Sequence, residues 1–524
     1  MSKLTITDIE KILQDRIKDD QFKTLKSFPQ PDKFKDMDKA VKRIVDAIKH
    51  EETINLVGDY DVDGVVSTAI MVEFFSKIGV DINYIIPNRF EHGYGLSPKI
   101  LEQIDEGIII TVDNGISAFE AADICKQKGL DLIITDHHTV GEKLPDAYAI
   151  VNPKQEECPF DFKDICGAQV AWYLCAAIKN ALNFKYNLME LFDILALAIV
   201  ADIMPMVSLN QTMVKYGLKA LSTSKRPAIA ALRLRYRLNS ITEEDIGFKF
   251  APLINCAGRM SDPSIALEFL LSFDEREANM QLDYLVELNE ARKQEQLSMF
   301  NEAKTQVDEE DDVIVVKSSS WNEGIIGIVA SKLCEKYQKP AFVFSVNGQN
   351  AKASARSTSD VDLYELISLC SLDLVGFGGH KQAAGLTALS HKIDDFKDML
   401  NKNIDNLNSS DDKGKSLYSI GSFCIDSINE NLYNTIEFFR PFGHQNPYPI
   451  FTFENLKVLN VIKMGKNKEF KKLIVTNGIN TIEVVVFVDL DEINIDDIVS
   501  FTATVSKNEF RGNTTINLMF KQLI

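Results

Sequence analysis

Residues 53–64, TINLVGDYDVDG, join a continuous apolar run to a cluster of aspartates. Residues 107–115, GIIITVDNG, and residues 130–138, LDLIITDHH, repeat this arrangement. Continuous apolar runs of this length indicate strands that are buried on both faces. Amphipathic helical patterns over residues 65–79 and 117–129 separate the runs, which is typical of a parallel sheet covered by helices. The fold class is therefore α/β.

Acidic and imidazole side chains collect where these strands end. The first run ends in Asp59, Asp61 and Asp63, the second in Asp113, and the third in Asp136, His137 and His138; a further acid, Asp202, lies in an apolar helical run. Ligands of open parallel sheets bind at the carboxyl ends of the strands, so we expect these side chains to converge. Their mutual repulsion would raise their pKa values unless cations neutralised them.

Each of these residues also has a structural interpretation. An aspartate after a strand is often a turn former or a helix N-cap, and the histidines could be hydrogen-bonded core residues. Only the complete set favours a metal site. Carboxylates with an imidazole and no thiolate suit manganese or magnesium better than zinc, and the imidazole favours manganese. Two ions about 3.5–4 Å apart suit in-line attack on phosphorus, so the set predicts phosphate-ester hydrolysis.

The 524 residues suggest several domains. A charged helical pattern with few breakers covers residues 264–305, a second α/β pattern follows it, and short β-rich runs follow a polar linker at residues 406–416. We therefore expect an N-terminal helical extension (1–48), a catalytic domain (49–262), a connector helix (263–308), a second α/β domain (309–402) and a C-terminal β-barrel (415–524).

The composition is that of a globular protein, with 45% apolar and 25% charged residues. No apolar run reaches the length of roughly 18 residues that a membrane span needs, and the charged N-terminus does not resemble a signal peptide. The eight cysteines form no C-x-x-C pair, which argues against a zinc cage or a disulfide framework. We expect a cytoplasmic protein, since the cytoplasm keeps thiols reduced.

The motifs resemble those of the DHH phosphoesterase superfamily, from about residue 50 to near the end of the chain. In the second half, Gly327–Ser331, Ser354–Ser357 and Gly378–Gly385 look like its DHH-associated substrate domain. Further motifs resemble the single-stranded-DNA-specific exonucleases of the superfamily: Asn88-Arg89 with Gly93–Gly95, Ile254–Met260, Pro441–Gly443 and Asn446-Pro447. The resemblance implies that the C-terminal barrel is an oligonucleotide-binding (OB) fold.

The resemblance also implies roles for the residues at the sheet edge. Asp61 and Asp113 would hold one ion with Asp59 nearby, while Asp63, Asp113, His137 and Asp202 would hold the other. Asp136 would orient the histidines, as carboxylates commonly do for metal-bound imidazoles. His138 would contact the scissile phosphate or protonate the leaving group.

Substrate binding is expected at two places. One set of candidates comprises Arg259 near the end of the catalytic domain and, in the second α/β domain, Ser354, Arg356, Gly378, Gly379 and His380. Arginine offers a bidentate fork to phosphate, and the glycines allow close approach of the backbone. In the barrel the candidates are Lys466, Lys468, Lys471 and Lys472. A glycine-histidine loop standing alone would be an ordinary turn. The barrel phenylalanines could stack on bases, but core positions are the better prediction for most of them.

The net charge of −19 conflicts with nucleic-acid binding, for which a basic surface is usual. Basic clusters occur at residues 225–237 and 463–472, although solvated surface faces explain each of them equally well. Phosphate binding depends on the local field and not on the total charge.

The resemblance implies a 5′–3′ exonuclease that releases 5′-mononucleotides from single-stranded DNA in repair and recombination. We expect two divalent cations, manganese or else magnesium, a monomer, and single-strand-binding protein and a helicase as partners. One rival is a DHH phosphodiesterase acting on short oligoribonucleotides or cyclic dinucleotides; such enzymes generally lack the terminal barrel. The other rival is a non-catalytic DNA-binding scaffold, which would be expected to have lost metal ligands.

Overall fold

The computed structural model describes residues 3–18, 20–358, 361–371, 374–404, 419–465, 470–487, 493–510 and 513–524, with the backbone alone for Glu509, Phe510 and Asn513. The chain packs as two compact units. The barrel unit comprises Met1–Gln30, Asp202–Ala220 and Gly414–Ile524, and the sheet unit comprises Pro31–Ala201 and Leu221–Lys413. No helix of the described residues is both long enough and apolar enough to cross a membrane.

The first sheet of the sheet unit is the predicted parallel sheet. Its strands are β1 (Ile54–Val57), β2 (Asn83–Ile85), β3 (Ile108–Val112), β4 (Asp131–Thr135) and β5 (Ala149–Val151), in the order β2-β1-β3-β4-β5. Every pairing is parallel. Strands β1, β3 and β5 are buried along their whole length, as expected of a sheet with both faces covered.

Helices alternate with these strands and continue after them. They are α2 (Met37–Lys49), α3 (Val62–Lys77), α4 (Pro98–Leu101), α5 (Phe119–Lys128), α6 (Gly167–Ala181), α7 (Phe192–Ala201), α8 (Ser208–Thr223), α9 (Pro227–Tyr236), α10 (Glu243–Asp245) and α11 (Ala251–Met260). A π-helical turn at Ile246–Phe250 joins the last two. Helix α3 is apolar on nearly all sides because it packs against both α6 and α7. Gly129 ends α5 in the left-handed region.

The connector differs from the single continuous helix predicted over residues 263–308. It consists of α12 (Ser264–Leu270) and the 30-residue helix α13 (Glu275–Lys304). The break has a local cause, because the side chain of Asp274 accepts a hydrogen bond from Glu277 N and so begins a new helix.

The second sheet has a mixed topology. Its strands are β6 (Ile314–Ser318), β7 (Ala341–Asn347), β8 (Asn350–Arg356), β9 (Leu374–Gly379) and β10 (Ala383–Leu389), in the order β6-β7-β8-β10-β9. Strands β6 and β7 pair in parallel, and the other pairs are antiparallel. One apolar core lies against α14 (Ile326–Tyr337), and the other against α15 (Leu363–Leu369) and α16 (Ile393–Asn403).

The barrel unit contains the closed five-stranded barrel that the OB-fold prediction requires. Its strands are β11 (Phe451–Met464), β12 (Phe470–Thr476), β13 (Thr481–Val486), β14 (Ile498–Phe510) and β15 (Asn513–Leu523), in the order β11-β12-β13-β15-β14. Phe451, Phe453, Phe501 and Phe520 are buried in its core, which confirms the core prediction for these four. Phe487, in contrast, is exposed.

Two other segments complete the barrel unit. Helix α1 (Ile6–Arg16) buries Ile9 and Leu13 in the same core as the barrel strands and α17 (Glu430–Glu437). In the segment Asp202–Ala220, Met206 N donates a 2.7 Å hydrogen bond to His444 O. The first residues of the chain are therefore an integral part of the barrel unit.

Candidate metal centre and phosphate cleft

The loop between β1 and α3 carries two of the predicted ligands, Asp59 and Asp61. Asp61 is the N-cap of α3, since its Oδ1 accepts hydrogen bonds from Asp63 N at 2.9 Å and Gly64 N at 3.1 Å. The helix-cap interpretation is thus correct for Asp61, and its second oxygen remains available to a ligand. A Cβ on Gly64 would lie 2.5 Å from the carbonyl carbon of Asp59, so the tight turn requires glycine.

Asp63 lies in the first turn of α3 and is 2% exposed. Its two oxygens accept hydrogen bonds from Gly167 N at 2.6 Å and Ala168 N at 2.8 Å, at the N-terminus of α6. The backbone N–H groups at a helix N-terminus have no partner within the helix, so they stabilise a carboxylate there. His137 Nε2 lies 3.6 Å from Asp63 Oδ2, so the buried carboxylate lies beside the imidazole.

Asp113 follows β3 with a φ of 62°, in the left-handed region that few non-glycine residues adopt. Its Oδ1 lies 3.2 Å from His137 Nε2. The next residue, Asn114, is fully buried and donates from Nδ2 to the carbonyls of Val57, Gly58 and Val112. Asn114 therefore ties the ends of β1 and β3 together, a role that the sequence did not predict.

Asp136 follows β4 and makes the contacts expected of a residue that orients a histidine. Its Oδ1 accepts from His137 N at 2.7 Å and His138 N at 3.1 Å and lies 2.7 Å from His138 Nδ1, while Oδ2 accepts from Ile116 N at 2.9 Å. The Asp136 side chain is 1% exposed, whereas that of His138 is 42% exposed. The fixed imidazole therefore faces open space.

The direction of the pKa shift divides these acids into two groups. Burial, together with the neighbouring carboxylates, raises the pKa values of Asp59, Asp61 and Asp113 above the ordinary range. Burial alone would also raise the pKa of Asp136, but the hydrogen bond and charge of His138 outweigh it and lower that pKa. The positive charge of His138 offsets the effect of burial only in part for Asp59 and Asp61, whereas its hydrogen bond and charge outweigh burial for Asp136.

The donor set fits divalent cations. The ligand atoms of Asp59, Asp61 and Asp113 lie within 4.8 Å of one another, as do those of Asp113, His137 and His138, so Asp113 belongs to both groups. Asp59 Oδ1 is buried and has no hydrogen-bond partner among the described residues. Carboxylate oxygens with imidazole nitrogens and no thiolate are typical of magnesium and manganese sites.

The sixth predicted ligand, Asp202, directly follows α7 and begins the segment assigned to the barrel unit. Its metal-binding role stays a prediction.

A cleft of about 620 Å³ opens between the two α/β domains of the sheet unit. Residues of both domains line it, among them Tyr60, Arg89, Arg259, Gly327, Ser354 and Arg356. Arg259 Nη1 donates to Gly324 O at 3.0 Å, and Arg356 Nη1 donates to Ser354 Oγ at 3.0 Å and Ala355 O at 2.8 Å.

The cleft concentrates positive charge in a chain that is negative overall. Burial and the nearby cations Arg89 and Arg292 lower the pKa of Arg259 to about 10, and burial lowers that of Arg356. Within the described ranges, no carboxylate forms an ion pair with Arg89, Arg259 or Arg356. An anion in the cleft would relieve this repulsion, and arginine forks suit phosphate oxygens.

The predicted substrate residues fall into three groups. Arg259, Ser354 and Arg356 line the cleft. Gly378, Gly379 and His380 come at the end of β9, just after Gly376 and Phe377, which line the cleft; their binding role stays a prediction. Lys471 and Lys472 lie on β12, where Lys472 Nζ pairs with Glu483 at 2.9 Å, and Lys466 and Lys468 lie outside the described residues.

Arg89 and Tyr60 are among the cleft residues that were not predicted as site residues. Arg89 belongs to one of the family-like motifs, Asn88-Arg89, and this motif was the available signal. Tyr60 gave no separate signal, since an aromatic residue between two aspartates has no distinctive chemistry of its own.

Sequence profiles of three domains match the chain. The DHH family N-terminal domain matches residues 53–199, the DHHA1 domain residues 310–406 and the RecJ OB domain residues 421–522. These are the domain types that the motifs indicated.

Whole-chain relatives agree with the domain matches. The single-stranded-DNA-specific exonuclease RecJ of Bacillus subtilis is 34% identical over 94% of this chain, which spans 64% of that relative's length. RecJ of Haemophilus influenzae is 30% identical, with 95% of this chain and 92% of the relative covered. RecJ of Salmonella typhimurium is 35% identical, with 69% and 68% covered.

Solved structures share the fold. The crystal structure of Thermus thermophilus RecJ in complex with Mn²⁺ has a TM-score of 0.84 at 24% identity, with 97% of this chain and 74% of that chain covered. A crystal structure of exonuclease RecJ bound to manganese has a TM-score of 0.63 at 30% identity, with 71% and 95% covered. These structures confirm the fold class. The curated relatives confirm the family resemblance, and the chain belongs to the RecJ family of single-stranded-DNA-specific exonucleases.

Proposed function

We propose that the chain removes 5′-mononucleotides from single-stranded DNA in the 5′–3′ direction, in DNA repair and recombination. The observation that carries this proposal is the convergence of Asp59, Asp61, Asp63, Asp113 and His137 at one sheet edge. Membership of the RecJ family supports the substrate class, because curated members are named single-stranded-DNA-specific exonucleases.

Two divalent cations, manganese in preference to magnesium, are the proposed cofactors. The group of Asp59, Asp61 and Asp113, and the approach of Asp63 and Asp113 to His137, support a two-ion site that shares Asp113. The imidazole of His137 supports manganese. When bound, the cations would neutralise the buried carboxylates and act as Lewis acids toward the phosphoryl oxygens.

The protein's own groups would position the substrate and move a proton. Hydrolysis forms a bond between a water oxygen and phosphorus and breaks the bond between phosphorus and the 3′ oxygen of the terminal nucleotide. The water loses a proton, and the 3′ oxygen must gain one. His138 is suited to supply it, because Asp136 fixes its Nδ1 and its exposed ring reaches open space. The cleaved phosphate stays on the shortened strand as its new 5′ end.

The cleft lined by Arg89, Arg259 and Arg356, called the arginine cleft below, would set the 5′–3′ direction of digestion. Arg89, Arg259 and Arg356 form no ion pair within the described residues and would bind the terminal 5′-phosphate. Each cleavage leaves another 5′-phosphate, which returns the same ligand to the cleft. The match of residues 421–522 to the RecJ OB domain supports a single-stranded substrate, since OB folds commonly bind single-stranded nucleic acid.

The cellular setting is also a proposal. We propose a cytoplasmic monomer that acts with single-strand-binding protein and a helicase. The reducing compartment is supported by the cysteines, since all eight are free and seven of them are buried.

The rival functions predict different substrates. A phosphodiesterase of short oligoribonucleotides or cyclic dinucleotides would turn over those substrates and leave long single-stranded DNA intact. The closed barrel and the RecJ OB domain match favour the DNA substrate. A non-catalytic scaffold would have lost metal ligands, whereas the acids and both histidines are present here.

The test is hydrolysis of long 5′-phosphorylated single-stranded DNA with Mn²⁺ by the unmodified chain, Asp63→Ala and His137→Ala. We expect mononucleotide products from the unmodified chain and loss of activity of at least about a hundredfold in each variant, since metal ligands act as a unit. Unchanged hydrolysis in both variants would overturn the assigned site. Turnover of short substrates alone would overturn the assigned substrate.

A further inference from the structure

We propose that Tyr60 is a positioning residue, whose ring holds the guanidinium of Arg89 in place for the terminal phosphate of the DNA. This inference rests on the proposed function. The guanidinium carbon of Arg89 lies 4.1 Å from the centre of the Tyr60 ring, which is a short cation–π distance. Both residues line the arginine cleft.

Arg89 depends on this ring because its other contacts are few. In the described part of the chain, its Nε is buried without a hydrogen-bond partner, and no carboxylate forms an ion pair with it. A carboxylate partner would occupy the N–H edges that phosphate needs, whereas a ring face leaves those edges free. The stacked arrangement therefore orients the cation and keeps it available to an anion.

Tyr60 is itself held firmly. A Cβ on Gly258 would lie 2.6 Å from Tyr60 O, so helix α11 packs directly against the tyrosine backbone. The ring also meets that of Tyr94 edge to face, with centroids 6.0 Å apart and an interplanar angle of 82°.

Tyr60 is adjacent in sequence to residues of the proposed metal site. Tyr60 stands between Asp59 and Asp61, two of the proposed metal ligands. Its backbone therefore belongs to the loop between β1 and α3 that carries Asp59 and Asp61, while its ring contacts Arg89 in the arginine cleft. The tyrosine thereby links the site that holds the 5′ end to the site that cuts the strand.

The experiment measures binding of fluorescent 5′-phosphorylated oligo-dT to the full-length chain in EDTA, where hydrolysis cannot interfere. We expect Tyr60→Leu to weaken binding about tenfold, within the range of a desolvated cation–π contact. Tyr60→Phe should retain the affinity, because it keeps the ring face. Arg89→Ala should weaken binding at least as much, and the double variant should be no weaker than Arg89→Ala alone.

Two further measurements test whether the effect depends on the 5′-phosphate and on this particular ring. With a 5′-hydroxyl oligo-dT, Tyr60→Leu and the unmodified chain should bind alike, which a merely misfolded variant would not do. Tyr148→Leu is the matched control, since it removes another cation–π ring, over Lys39, outside the cleft and should not change binding. Equal weakening in Tyr60→Phe and Tyr60→Leu, or additive losses with Arg89→Ala, would overturn the role of the ring.

Different measurements test the proposed nuclease function and the role of Tyr60. Absence of Mn²⁺-dependent hydrolysis by the unmodified chain would contradict the nuclease proposal, while the binding cycle in EDTA would still decide whether Tyr60 acts through Arg89.

Discussion

Asp136 touches the backbone of three residues and the ring of a histidine, so one side chain organises the end of β4. We expect Asp136→Asn to lower the turnover number with Mn²⁺ about 10- to 100-fold, the usual loss for such supporting partners. The amide keeps the shape but cannot carry the negative charge that stabilises a protonated His138. Steady-state hydrolysis at saturating single-stranded DNA measures the effect.

Asp131→Asn is the control for this prediction, because Asp131 lies at the other end of β4 and pairs with Arg43. It should leave the turnover number unchanged. A similar loss in both variants would show that the strand is perturbed as a whole and would contradict the role of Asp136.

Individual residues also show how far sequence could predict the site. The acids and histidines were recognisable because their chemistry is distinctive and each follows an apolar run. Tyr60 and Asn114 were not, since their roles depend on contacts with Arg89 and with the ends of two strands. Such contacts join distant parts of the chain, and no local pattern encodes them.

At the scale of secondary-structure elements, the N-terminus of α6 supports the metal centre. A Cβ on Gly167 would lie 2.6 Å from both Cβ and Oδ1 of Asp113, which belongs to both ligand groups. We therefore expect Gly167→Ala to displace this carboxylate and to weaken Mn²⁺ binding at least tenfold, a loss of about 1.4 kcal/mol. Isothermal titration with Mn²⁺ measures it.

Gly247→Ala is the matched control for this substitution. Gly247 is also helical, but a Cβ there would meet nothing within 4 Å. Mn²⁺ affinity should be unaffected, and equal affinities of the two alanine variants would contradict the packing argument.

Strands and helices were predicted better from the sequence than the breaks between them. The parallel strands followed from continuous apolar runs, and the barrel strands from short β-rich runs. The break between α12 and α13 was missed because no glycine or proline interrupts the chain at Leu271–Asp274. The cap at Asp274 was visible in the sequence as an aspartate followed three residues later by Glu277, a capping signal that the long pattern obscured.

At the scale of the whole molecule, the N-terminal residues belong to the barrel unit. Leu13 is 1% exposed in its core. We expect Leu13→Ala to destabilise this unit by about 2–5 kcal/mol, the usual range for a large-to-small core substitution. Both tryptophans, Trp172 and Trp321, lie in the sheet unit, so hydrogen exchange of the barrel strands is the suitable measurement.

Leu25→Ala serves as the control, since Leu25 is 36% exposed in the same N-terminal segment. It should change the protection of the barrel strands little. Protection that is insensitive to Leu13→Ala would contradict the assignment of α1 to this unit. Sequence could not predict the assignment, because an amphipathic helix shows which face is buried and not which partner buries it.

We propose that carboxylates and the imidazole of His137 at one sheet edge hold two cations through a shared Asp113. Equilibrium binding of Mn²⁺ to the full-length chain, followed by electron paramagnetic resonance, tests it most directly. We expect two bound ions per chain and loss of both sites in Asp113→Ala. Two ions bound with unchanged affinity in Asp113→Ala, or no specific binding by the unmodified chain, would contradict it.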